Sequence, residues 1–72
     1  MTEKETTLEQ AIRHVDEAKR LIAEQRQRIE KLKAAGISTL DAEQTLDVLS
    51  STLPLLEKHE RHVRQHTLKN TN

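Results

Sequence analysis

The sequence predicts an all-α protein, an antiparallel two-helix hairpin of coiled-coil type. Three observations carry the prediction: a helix-forming composition, apolar residues at alternating three- and four-residue spacing in two segments, and one glycine between them. Ala, Glu, Lys, Leu and Arg make up about half of the chain, the bias of long or coiled helices. There are no aromatic residues and only 33% of residues are hydrophobic, so small aliphatic side chains must do the packing. The 72 residues allow one small domain with little interior.

A polar tail is expected over residues 1–6, then a first helix over 7–35. Leu8, Val15, Ile22 and Ile29 recur every seventh position, and Ala11, Ala18, Gln25 and Leu32 interleave with them to fill one seam with a single polar exception. Thr6 with Glu9, and Thr7 with Gln10, both have capping-box spacing, which places the helix start at one or the other. Gly36 stands where a helix end needs a residue free to take positive φ, with Ile37 placed to fold back on Leu32. A turn over 36–39 follows, with Ser38 or Thr39 as the next cap and Asp41 near the positive helix end. So short a link turns the chain back antiparallel.

The second helix is expected over 40–66, its seam formed by Ala42, Leu46, Leu49, Leu53, Leu56, Glu60 and Val63, with Thr67 continuing the spacing and a tail over 67–72. Folding about Gly36 sets Leu32 near Ala42, Ile29 near Leu46, Gln25 near Leu49, Ile22 near Leu53, Ala18 near Leu56, Val15 near Glu60 and Ala11 near Val63. Small residues thus face large ones. Pro54 removes a donor to the Ser50 carbonyl and crowds that turn, so a kink is expected there. Charge checks the topology independently. Residues 1–17 sum to −3, 18–35 to +4, 36–60 to −4 and 61–72 to +3, so antiparallel folding sets opposite signs side by side and a parallel one would not.

The run from His14 to Val63 resembles a group of small bacterial helical-hairpin proteins with the pattern I-A-x-Q-R-x-x-I-x-x-L, a glycine turn, T-x-x-A-E-x-x-L and a final His-x-Arg. The matching residues are Ile22, Ala23, Gln25, Arg26, Ile29 and Leu32, then Gly36, Thr39, Ala42, Glu43 and Leu46, then His59 and Arg61. The resemblance implies a helical hairpin and no established activity. Pro54 departs from it, since that position is usually an ordinary helix former, and this bears on the straightness of the second helix.

Functional chemistry is sparse. "KHERHVRQH" has the letters of a zinc-protease motif, but His59 and His62 are three apart where that motif needs four. His62 and His66 have the four-residue spacing, and His14 is expected close to them across the hairpin, so these three are the candidate metal ligands. The competing reading is a solvated helix end whose histidines complement its negative pole. With no cysteine there is neither a disulfide framework nor a thiolate site, and no cofactor is expected. Serines and threonines occur outside any strand-to-helix elbow or glycine-rich loop, so no enzyme is expected. Lys19, Arg20, Arg26, Arg28, Lys31 and Lys33 could track phosphates, but the chain is neutral overall and offers no aromatic stacking platform. The acidic, polar N-terminus has no apolar targeting core and no stretch approaches a membrane span, so a cytoplasmic protein is expected.

Two helices bury one seam, which at this size yields only a few kcal/mol. Ile12 and Leu21 widen the apolar stripe of the first helix, and Val48 and Leu55 that of the second. The expected function is a protein–protein association module, a small adaptor or regulator. Its stripe would be completed by a homodimer forming a four-helix bundle, or by a partner helix. Ile12, Leu21, Gln25, Val48 and Leu55 are the expected contact residues. Gln25 would pin register or oligomeric state there, or lean out to water; Glu60 would reach solvent on a long stem.

Overall fold

Helix α1 (Thr7–Ala34) begins because Thr6 and Glu9 cap it reciprocally: Thr6 Oγ1 accepts from Glu9 N at 3.0 Å, and Glu9 Oε1 accepts from Thr6 N at 2.9 Å. Of the two capping boxes in the sequence, the first is the one used. The computed structural model describes residues 6–69, so most of the expected N-terminal tail lies outside the described residues.

The helix ends one residue before the expected Ala35, in a Schellman motif. Ile37 N donates to Leu32 O at 2.9 Å and Gly36 N to Lys33 O at 3.1 Å, while Gly36 takes φ 73°. Lys31 and Lys33 lie in this last turn, beside carbonyls that carry the negative pole. The chain then re-enters helix at once. Thr39 O accepts from Glu43 N at 2.8 Å and so occupies the N-cap of α2 (Leu40–Lys69); its hydroxyl donates to the Glu43 carboxylate. Ser38 Oγ accepts from Leu40 N at 3.4 Å, so both candidate caps take part.

Helix α2 departs from expectation at its C-terminal end. It runs to Lys69 rather than to residue 66, because nothing after Pro54 interrupts it: no glycine or proline follows, and polar helix formers continue the backbone ladder. Residues 70–72 of the expected tail lie outside the described residues. Pro54, where a kink is expected, lies inside a helix that is continuous on both sides of it. The proline points to solvent and Ser50 is exposed, so the carbonyl that loses its donor is within reach of water.

The two helices pack against each other along the expected seam. Ile29 and Leu46 border one depression, Ile22 and Leu53 another, and Ala18 and Leu56 a third, an order that only antiparallel helices produce. The buried core is Ala11, Val15, Ala18, Ile22 and Ile29 of α1 with Val63 of α2. The leucines of α2 are only half-covered, from Leu46 through Leu49, Leu53 and Leu56. Two neighbouring leucines cover an alanine completely, but an alanine leaves the flanks of the leucines opposite it uncovered. The result is a layer 58 Å long and 13 Å thick, one helix deep, with two broad faces.

Along each helix, Arg13 pairs with Glu17 at 2.7 Å, Arg20 with Glu24 at 3.3 Å and Arg64 with Glu60 at 2.7 Å. Exposed pairs of this kind contribute only a few tenths of a kcal/mol. Glu60 sits at the seam half-buried, with its carboxylate led outward to Arg64.

Candidate functional site

Seven-residue columns decide what each broad face carries. His14, Leu21 and Arg28 form one column of α1, and Thr45 and Thr52 the matching column of α2. They border the same side of the hairpin: His14, Glu17, Ala18 and Leu21 line a depression with Leu49, Thr52 and Leu56, while Gln25, Arg28 and Leu32 line the next with Asp41, Ala42 and Thr45. The opposite side carries Lys19, Arg26 and Lys33 of α1 against Glu43, Ser50, Leu46 and Leu53 of α2. One face is therefore apolar at its centre, and the other is lined by charges.

The apolar face extends around the outer side of α2. Val48, Thr52 and Leu55 follow at four- and three-residue steps, which places them on one stripe. Thr52 Oγ1 donates to Val48 O at 2.8 Å and Thr45 Oγ1 to Asp41 O at 3.2 Å. Both hydroxyls are thus occupied by their own helix, and the methyl groups complete the stripe. Leu21 is 42% exposed, Val48 65% and Leu55 67%, far above the core and at the places where the sequence expects contact.

Two expected contact residues fall elsewhere. Ile12 heads the column of Lys19, Arg26 and Lys33, on the charged side of the seam, and is half-buried there. Leu21 lies nine residues on, half a helical rotation away, so the two widen the stripe in opposite directions. Gln25 is used within the hairpin: its Nε2 donates to Ala42 O at 2.9 Å, from the middle of α1 to the first turn of α2. A carbonyl has two lone pairs, so Ala42 can accept this bond as well as its helical one. The amide ties the two helices at one register, the first of the roles expected of it, with its partner inside the chain rather than in a symmetry mate or water. Sequence reasoning missed the acceptor because a backbone carbonyl is present at every residue.

The chain also exposes Leu40 (71%) and Ile37 (57%) at the turn. Ile37 does share a depression with Leu32, as expected, but shields it only in part. Leu40 was not foreseen; its place just after the cap, off the seven-residue seam, is the signal that would have shown it facing outward.

The candidate metal trio is not assembled. His14 lines the apolar depression beside Leu56, whereas His62 and His66 stack on each other with ring centroids 6.5 Å apart on exposed turns of α2. Among the described residues no group of three metal-ligating side chains converges. The register explains this. Ala18 is level with Leu56, so His14 is level with Glu60, while His66 lies about 9 Å further along the axis. Nor do the six basic residues of α1 form one surface: Lys19, Arg26 and Lys33 share a column, Arg28 borders the other face beside Asp41, and Arg20 is engaged by Glu24. Among the described residues no polar or charged side chain is buried, and no helix is long and apolar enough to cross a membrane.

Comparison of the chain with protein-family models, with curated proteins and with solved structures finds no match.

Proposed function

We propose that this chain is a non-enzymatic protein–protein association module, a small adaptor or regulator whose hairpin is completed by further helices in a four-helix bundle. One observation carries the reading. The hairpin buries Ala11, Val15, Ala18, Ile22 and Ile29 of α1 but leaves the seam leucines of α2 half-covered, with Leu21, Val48 and Leu55 exposed beside them on the same face. Apolar surface left in water costs about 25 cal/mol per Å², and a second layer of helices is the arrangement that removes it. The depressions are open and shallow and hold no buried acid, base or nucleophile, so they offer surface for packing rather than a water-excluded site for chemistry.

Sedimentation equilibrium over a hundredfold range of concentration tests this. The expected result is a mass rising from 8.3 kDa toward twice that value. An unchanging 8.3 kDa together with a cooperative melt would show that the hairpin is complete alone, and the reading would fail.

A further inference from the structure

Resting on that association reading, we propose that the face centred on Leu21 and Thr52 is the homodimer interface, and that two hairpins stack through it with their loops at the same end. Helix α1 of each copy then lies along α2 of the other. The face is suited to a second copy of itself because its apolar residues cluster at mid-length: Leu21 is near the middle of α1, and Leu49 and Leu56 lie about a turn to either side of Thr52. A two-fold axis through this region pairs the patch with itself, as an isologous interface requires.

The rim charges choose between the two ways of stacking. With the two-fold along the hairpin's length, residues at one level of α1 meet the same level of α2 in the second copy. By the register that sets Ile29 beside Leu46, Lys31 falls within a turn of the level of Asp41, and Arg28 shares a depression with Asp41 and Thr45, so both basic residues approach Asp41 of the second copy. Glu17 lies level with Leu56, so it approaches His59 of the second copy. With the two-fold across the hairpin and the loops apart, α1 lies against α1. Glu17 and Glu24, placed evenly about the middle of that helix, then face Glu24 and Glu17 of the second copy, and His14 faces Arg28. Apolar burial drives both arrangements equally; like charges at close quarters disfavour the second. The charged face carries Lys19, Arg26 and Lys33 at the surface, whose desolvation would oppose stacking there.

Because the chain has no cysteine, a single spin label at Ser38→Cys, in the loop and away from the apolar centre, reports the geometry directly. With the loops together, pulsed dipolar spectroscopy should give a separation of roughly 20 Å, about two helix diameters. With the loops apart, two arms of about 17 residues at ~1.5 Å each put the labels roughly 50 Å apart. That longer distance would overturn the stacking while leaving the association reading intact. A mass of 8.3 kDa with no dipolar coupling would remove both. Adding Val48→Glu and Leu55→Glu to the labelled chain should abolish the coupling while the helical circular dichroism is retained. Coupling that persists in that variant would show that another face makes the contact.

Discussion

Replacing Gly36 with either enantiomer of alanine isolates the contribution of the turn. Gly36 holds φ 73°, and a Cβ built there has no atom within 4 Å, so substitution meets no steric obstacle and only backbone strain is at issue. An L-residue in this left-handed region is strained by roughly 1–2 kcal/mol. Alanine also narrows the unfolded ensemble, which returns about 0.4–1 kcal/mol. Gly36→Ala should therefore destabilise by about 1 kcal/mol. D-alanine, introduced by chemical synthesis, adopts positive φ without strain and keeps the entropic benefit, so it should stabilise by about 0.4–1 kcal/mol. For a domain of this size each kcal/mol shifts Tm by roughly 4–8 °C, so the two enantiomers should straddle the parent by an interval easily resolved in helical circular dichroism melts. All three proteins must be melted at one chain concentration, because association moves Tm by mass action. If L-alanine matches or exceeds glycine, or D-alanine melts below L-alanine, the Schellman turn is not what closes the hairpin.

Other substitutions separate the remaining contributions. Pro54→Ala should raise stability by about 2–3 kcal/mol in urea unfolding, since the proline is exposed inside a continuous helix and no packing is lost with it; no change would mean that the turn around Ser50 is not helical in solution. Thr6→Ala should cost about 1 kcal/mol by the same measurement, and Glu9→Ala added to it should cost clearly less than it does alone, because both belong to one capping box. Gln25→Ala should cost about 1 kcal/mol through the lost bond to Ala42 O, and amide exchange should rise in the first turn of α2; unchanged exchange there would mean that the bond does not hold the register.

How far the sequence revealed the fold depends on which physical signal each feature leaves in it. Thr6, Glu9, Gly36 and the seam from Leu8 to Val63 were readable because capping, positive φ and burial each restrict residue type. The end of α2 was not, since polar helix formers look alike inside and beyond a frayed terminus. Gln25 announced that something polar lay at the seam but not which group it would bind. The separation of Ile12 from Leu21 was present in the spacing, as opposite flanks of one heptad seam, and emerges once each flank is followed across to α2. His14 stays apart from the other two histidines for a related reason: its side of the seam sets it on the depression that Leu56 lines, and its level, that of Glu60, falls short of His66.

The hairpin exists only if the chain doubles back at Gly36, and a distance within one chain decides whether it does. Asp16 and Lys58 are both exposed and lie at one level of the hairpin, and spin labels at Asp16→Cys and Lys58→Cys can be diluted into unlabelled protein so that only the intrachain pair is read. Adjacent helices 8–10 Å apart predict a narrow distribution near about 20 Å once the side chains are included. A single unbroken helix, rising ~1.5 Å at each of the intervening residues, would put the labels roughly 60 Å apart and contradict the account.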